Sequence, residues 1–243
     1  MKNNLEKHRW KVLNRERKGR CFCLMRQVQI MRPFGFLKGI FKGQNPFKLA
    51  WKNIRNEVKI YGGLFVTNKR YNFGKRLWEF VSRFTWQAPQ TVLGYWWART
   101  RNAFSVVDKV EYYRGATYVM SDRPNSEFKG VTLGSFINTK GKIPYDSNGN
   151  FDPRIFDIEG PGINYLYGYM HEYGHYIQSQ RSGPFYLFLY GIPSMGYSLM
   201  GRDDDFYTEL DANYEAARYF RKYEEFPNWN IQGGAFGTKN YLF

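Results

Sequence analysis

The chain has 243 residues, of which 43% are hydrophobic, and this composition excludes a disordered protein. The length allows one sizeable domain with an appendage, or two small domains. A formal net charge of +15 predicts an anionic partner. The only cysteines, Cys21 and Cys23, are too close in sequence for an ordinary disulfide and match no common structural zinc pattern. A disulfide-stabilised scaffold is therefore excluded, and free thiols in a reducing compartment are expected.

Residues 1–43 form a basic N-terminal arm, in which Glu6 and Glu16 are the only acidic residues. Such an arm is attracted to an anionic membrane surface, although a solvated terminus is an equal alternative. No recognisable nucleic-acid-binding module accompanies it, so nucleic acid is not the expected partner. The first 20 residues lack the apolar core of a signal peptide. We therefore expect a cytoplasmic or membrane-peripheral protein, with export by a non-classical route as the alternative.

Residues 44–104 are predicted to form an aromatic-rich helical region. Apolar residues recur every three or four positions within 48–58 and 71–84, which predicts two helices. Pro89 is expected to interrupt the chain before a third helix at 91–101. This third helix contains tryptophans beside arginines, a combination typical of a membrane interface. The preferred interpretation is instead a helix that packs on the core with a basic outer face.

Residues 105–225 are predicted to form a metal-site domain that begins with a small antiparallel sheet. Segments 106–113, 116–120 and 131–138 are rich in valine, tyrosine, threonine and phenylalanine, and turn residues separate them.

A helix predicted at 163–180 contains the sequence His-Glu-Tyr-Gly-His at 171–175. Positions four apart share one face of a helix, so His171 and His175 can bind the same ion. Glu172 can then act on a water molecule at that ion. Both histidines lie off the apolar stripe of the predicted helix, which favours ligands over buried structural histidines.

A last helix is predicted at 206–223, and Glu209 and Asn213 fall in the middle of its apolar side. A carboxylate at such a position is costly unless it is paired, so Glu209 is the predicted third ligand. Asp211, on the polar side, and Asp203–Asp205, which resemble helix caps, are weaker candidates. Small alanines around Glu209 are expected to let this helix lie close to the first.

Residues 182–201 carry no charged side chain and are long enough to cross a bilayer. Prolines and glycines interrupt them, however, so we predict a buried irregular connection near the site. A segment that dips into a membrane is the alternative. The tail, residues 226–243, contains no recognisable motif.

Two imidazole nitrogens and one carboxylate oxygen leave the fourth tetrahedral position of zinc (Zn2+) open, as catalytic zinc sites require. In this interpretation His171, His175 and Glu209 bind the metal and Glu172 is the general base. Asn213 would orient a ligand through a hydrogen bond. The predicted sheet could hold an extended peptide at its edge. A transition-state donor is also needed, and Tyr207 and Tyr197 are the candidates.

On these residues the chain resembles the zincin metallopeptidases, and within them the gluzincin pattern of a His-Glu-x-x-His helix followed by a later glutamate. The block at 171–178 also resembles uncharacterised bacterial proteins. Asn213 stands where the family often has aspartate, and Gln178 and Arg181 break the metzincin extension.

The resemblance covers about residues 106–223 and implies a zincin-like fold with two active-site helices. Together with the elements predicted above, the expected fold class is α+β, with a small antiparallel sheet before these helices and a helical basic N-terminal region. The resemblance also implies zinc-dependent hydrolysis of peptide bonds in a peptide or protein substrate. The alternative is a non-catalytic, membrane-associated adaptor with a degenerate zincin fold.

Overall fold

The computed structural model describes residues 45–154, 164–199 and 207–223, except 125 and 127, together with residues 40 and 43. Three predicted segments therefore lie outside the described residues: nearly all of the basic arm, the acidic triplet at 203–205, and the tail at 226–243. Within the described part, no helix is both long enough and apolar enough to cross a membrane.

The chain divides into two compact units. The described part of the smaller unit comprises residues 45–58 and 100–106, and a buried polar cluster holds it together. Asn102 donates to the carbonyl oxygen of Asn53 at 2.9 Å and to the carboxylate of Glu57 at 3.2 Å. Asn53 in turn donates to the hydroxyl of Ser105 at 2.6 Å. The larger unit contains the rest of the described residues, including every candidate site residue.

Within residues 45–108, three helices precede the sheet: α1 (Pro46–Gly63), α2 (Phe73–Ser82) and α3 (Ala88–Ala103). All three were predicted, but Pro89 does not interrupt the chain before α3. It is the second residue of α3. A proline in the first turn lacks only an N–H that has no partner within the helix, so α3 begins three residues earlier than expected.

Helices α2 and α3 bury polar residues and expose apolar ones. The buried Glu79 accepts a 2.7 Å bond from the Asn68 amide, and the buried Arg83 donates to the Gly115 carbonyl at 2.6 Å. In α3, Arg99 is buried and its guanidinium lies 5.0 Å from the Trp96 ring centroid. The preferred interpretation of α3, a basic outer face, is therefore wrong, because the outer face is apolar.

Four strands form the sheet: β1 (Lys109–Tyr113), β2 (Ala116–Asp122), β3 (Lys129–Leu133) and β4 (Phe136–Gly141). They lie in the order β1-β2-β4-β3, and β2 pairs with β4 in parallel, Thr117 opposite Phe136. The sheet is thus mixed, and the prediction of an antiparallel sheet is wrong. Gly134, with φ 60°, turns the chain within the predicted segment 131–138 and divides it into β3 and β4.

The central strands β2 and β4 are buried on both faces, and alternate residues of each strand point to opposite sides. Tyr118 and Met120 of β2 belong to the core cluster that contains Met170. Val119, between them, packs in a second cluster with Ala98 of α3. The first face is covered by α4 (Asn164–Ser182) and α6 (Tyr207–Tyr223). The architecture is therefore α+β, as predicted.

The segment from Gly183 to Leu199 is helical throughout. A 3-10 turn (Gly183–Phe185), a π-helical turn (Leu187–Gly191) and α5 (Ile192–Leu199) follow one another. The prediction of a buried irregular connection is wrong on both counts. The segment is attached through polar groups such as the hydroxyl of Tyr186, which donates to the carbonyl oxygen of Thr132 at 3.0 Å. Its large apolar side chains are exposed.

Helices α4 and α6 are in close contact at Gly174, the fourth residue of the motif. A Cβ atom built on Gly174 would lie 1.9 Å from the carbonyl oxygen of Ala212. Ala216, one turn later in α6, is fully buried in the same core. Small residues on both helices therefore allow the contact, as the alanines of the sequence predicted.

We expect Gly174→Ala to destabilise the protein by about 1–3 kcal/mol, because the added methyl group must push the two helix backbones apart. Thermal unfolding followed by circular dichroism measures the effect. Gly196→Ala is the matched control, because no atom lies within 4 Å of a Cβ built at that helical position. Equal melting temperatures for the two variants would contradict the proposed close packing.

Candidate metal centre

Three side chains from α4 and α6 converge on one point. The Nε2 atoms of His171 and His175 lie 3.1 Å apart. The same oxygen of Glu209, Oε2, lies 2.9 Å from the first nitrogen and 3.2 Å from the second. All three side chains are at most 15% exposed. The helical spacing of the histidines places their rings on one face of α4, and the close approach of α6 brings Glu209 to them.

The opposite nitrogen of each histidine ring has its own partner. His171 Nδ1 lies 2.6 Å from Asn213 Oδ1, and His175 Nδ1 lies 2.7 Å from Gln178 Oε1. An acceptor at Nδ1 keeps the proton there and leaves the Nε2 lone pair for a cation. Asn213 thus has the predicted orienting position. Sequence reasoning missed the role of Gln178, although it lies on the histidine face of the predicted helix.

Asp211, the first alternative to Glu209, points elsewhere. Its carboxylate accepts bonds from Arg181 at 2.5 Å and from Gln178 Nε2 at 2.9 Å. Gln178 also donates to the carbonyl oxygen of Thr208 at 2.9 Å. Asp211 therefore holds the amide that orients His175 and is not among the converging ligand atoms.

Glu209 is fixed through its second oxygen. The hydroxyl of Ser194, in α5, donates to Glu209 Oε1 at 2.5 Å and leaves Oε2 facing the histidines. Ser194 lies in the uncharged segment whose sequence gave no indication of this contact. A serine that reaches a carboxylate from another helix depends on tertiary packing, which local periodicity does not encode.

Glu172 is buried between α4 and the edge strand β3. The hydroxyl of Thr132 donates to Glu172 Oε2 at 2.5 Å. Gly130, two residues earlier on the same strand face, leaves room for the carboxylate, because a Cβ atom there would lie 2.0 Å from Glu172 Oε1. Burial raises the pKa of Glu172 above its ordinary value, against the lowering effect of His175 and His171. A carboxylate with a raised pKa is suited to accept a proton near neutral pH.

The cluster attracts positive charge. Burial alone would lower the pKa of His175, but the hydrogen bond and the charge of Glu209 outweigh it and raise this pKa to about 9. Burial would likewise raise the pKa of Glu209, but the bonds from His171 and His175 hold it far below its usual range. The carboxylate thus remains charged at neutral pH, and a proton on His175 takes the place that a cation could occupy.

The predicted tyrosines contribute less to the centre. Tyr207 is 51% exposed, and its hydroxyl donates to the carbonyl oxygen of Leu189. The side chain of Tyr197 lies outside the described part of the structure. Tyr207 thus stabilises the segment beside the cluster, and the structure does not bring its hydroxyl to the ligand atoms.

The three residues fit a divalent metal ion. Their ligand atoms lie within 4.8 Å of one another, and two imidazoles with one carboxylate form a donor set that suits zinc and other first-row metals. The carboxylate would balance part of the ion's charge, and Asn213 and Gln178 would hold the imidazoles in orientation. The arrangement can therefore hold a metal, without selecting zinc over similar ions.

We expect the affinity for a divalent metal to increase with pH. His175, with a pKa of about 9, is protonated at neutral pH in the ion-free protein, so a metal must displace that proton. The apparent dissociation constant should fall roughly tenfold per unit between about pH 6 and about pH 8, and level off above the pKa.

Isothermal titration calorimetry with zinc in buffers of different ionisation enthalpy measures both the affinity and the number of protons released. The variant Tyr112→Phe is the control, because this residue lies on β1, at the opposite edge of the sheet. A dissociation constant that does not change with pH would contradict the assignment of His175 as a ligand.

Comparisons with known proteins add no family: no protein-family model, no curated protein and no solved structure matches the chain significantly. The candidate metal centre therefore rests on the geometry and the donor chemistry of its own residues.

Proposed function

We propose that the protein is a zinc-dependent hydrolase of peptide bonds. One observation carries the proposal: the ligand atoms of His171, His175 and Glu209 converge beside a buried glutamate, Glu172, with a raised pKa. A metal site alone would serve a structural role equally well. The adjacent carboxylate favours hydrolysis, because it supplies a proton acceptor next to the metal.

Zinc held by these residues would lower the pKa of a water molecule toward neutrality and polarise the substrate carbonyl. Glu172 would accept the proton of that water and donate it to the leaving amine. Thr132 holds the carboxylate through Oε2, which leaves Oε1 available for the proton. Asn213 would keep the imidazole of His171 in position during this transfer.

The substrate would bind along β3. This strand is at the edge of the described sheet, and its residue Thr132 contacts Glu172. An extended peptide that pairs with an edge strand receives backbone hydrogen bonds whatever its side chains. A peptide on β3 would therefore have its backbone near the general base, which supports a peptide substrate over a small molecule.

We expect Glu172→Gln to retain the metal and to lose hydrolysis, because glutamine keeps the shape but cannot accept the proton. The loss should be about 10²–10⁴-fold in kcat, the usual contribution of a general base. Cleavage of a mixed peptide library, read by mass spectrometry beside metal analysis, measures both properties. His171→Ala and Glu209→Ala should lose the metal as well. A Glu172→Gln protein as active as the parent would refute the mechanism.

We expect Gly130→Ala to reduce kcat about a hundredfold, because the new methyl group must displace the carboxylate of Glu172. Gly74→Ala is the control, because Gly74 is an exposed residue of α2 and the nearest atom to a Cβ built there lies 3.9 Å away. Metal content should stay at the parental level in both variants. If Gly130→Ala lost the metal together with the activity, the effect would be general unfolding and Gly130 would not be a positioning residue.

A further inference from the structure

Helix α3 presents an apolar stripe to solvent. Its residues recur at three- and four-residue intervals and are about half exposed: Val92 51%, Leu93 50%, Trp96 57% and Trp97 50%. The inward side of the same helix holds Gln90 and Thr91, both buried. The usual polarity of a surface helix is therefore inverted.

The helical segment after α4 has the same inversion. Its outward residues follow helical spacing and are more than half exposed, except Leu189 at 50%: Phe185 60%, Phe188 71%, Ile192 56% and Met195 61%. Its inward residues make polar contacts, namely those of Tyr186 with β3 and of Ser194 with Glu209. Neither apolar stripe is needed to build the core.

The two stripes flank the same part of the molecule. Gln90 of α3 donates to the carbonyl oxygen of Gly183 at 2.7 Å, where the second stripe begins. Gly94 of α3 packs against Leu133 at the end of β3, and Tyr186 bonds to the neighbouring Thr132. We call the two stripes together the apolar face. Its members are Val92, Leu93, Trp96, Trp97, Phe185, Phe188, Leu189, Ile192 and Met195.

Charge distinguishes the partners that such a face could have. Residues 80–107, 128–145 and 173–202, which contain the apolar face and the edge strand beside it, include no aspartate or glutamate. Every charged side chain in them is lysine or arginine, apart from His175 of the candidate metal centre. Each chain carries a formal net charge of +15, so two copies would repel each other. An anionic bilayer offers opposite charge and an apolar layer at once.

We propose that the apolar face docks in the interfacial layer of an anionic membrane, with the helices lying along the surface. Tryptophan is enriched at this depth of a bilayer, and a contiguous exposed apolar patch marks an interaction site. Because no described helix could cross the membrane, the contact is peripheral. This assigns membrane binding to α3 and the 185–195 segment, and the basic arm is not required for it.

Docking of the apolar face would also place the candidate metal centre near the membrane surface. Ser194 bonds to Glu209, and Tyr207 bonds to Leu189, so the segment that carries half of the apolar face also borders the centre. The substrates would then be peptides at the membrane surface. This consequence rests on the proposed function, whereas the docking itself does not.

Flotation of the purified full chain with phosphatidylcholine vesicles, with and without phosphatidylglycerol, tests the docking. All proteins carry Glu172→Gln, so vesicle binding is measured without hydrolysis. If the proposed peptidase function were wrong, the flotation result would still test the docking. Two double variants place carboxylates on the face: Leu93→Glu with Trp96→Glu, and Phe188→Glu with Ile192→Glu. Each should weaken binding to the anionic vesicles by about tenfold or more, because it removes apolar contacts and adds charge repulsion.

Tyr112→Glu is the control for added charge, since it places one carboxylate, half the charge of a double variant, on a 39% exposed tyrosine of β1, at the other edge of the sheet. It should bind within about twofold of the parent. Circular dichroism and metal content verify that each variant is folded.

Three results would overturn the proposal. The first is a parent that does not bind anionic vesicles. The second is equal binding by folded variants and parent, which would assign the contact to the basic arm. The third is a dimer, detected by sedimentation velocity without lipid, that the parent forms and the double variants lose, because a second copy would then cover the face.

Discussion

The contact between α4 and α6 at Gly174 is the constraint on which the candidate metal centre depends. A carboxylate in α6 reaches the two histidines of α4 only because the helix backbones almost touch, with the Ala212 carbonyl in the space where a larger residue would put its Cβ. The motif therefore also contains the residue, Gly174, that allows the two helices to pack closely. Its histidines supply two candidate ligands, and the glycine between them allows the approach of the helix that carries the third, Glu209.

Around that contact, polar side chains hold each functional group from the side away from the centre. Asn213 and Gln178 hold the histidines, Ser194 holds Glu209, and Thr132 holds Glu172. These four side chains come from α6, α4, α5 and β3. The geometry of the centre therefore depends on how these elements of the larger unit pack together. Burial of these polar groups is tolerable because each has a partner, and such pairing restrains rotation of the side chains in the candidate centre.

Helical periodicity was sufficient to predict that the three candidate ligands would converge. The four-residue spacing of His171 and His175 and the position of Glu209 on an apolar side are local signals, and the structure brings these three residues together. Thr132 and Gly130 could not be found in this way, because their roles arise from a strand 40 residues from Glu172. The parallel pairing of β2 with β4 was missed for a related reason. This pairing requires a turn at Gly134, and the turn was not predicted because residues 131–138 form one nearly continuous run of strand-forming residues.

The inverted helices show where apolar periodicity misleads. Periodicity predicted α3 correctly as a helix, yet the rule that the apolar stripe faces the core gave the wrong outer face. In α3 and in the 185–195 segment, small and hydrogen-bonding residues such as Gly94, Gln90 and Ser194 make the inward contacts. Bulky apolar side chains are left outside, on elements that contain no acidic residue. An exposed face of this composition is costly in water, so its persistence beside a buried metal-ligand cluster is best explained by a partner that is itself apolar and anionic.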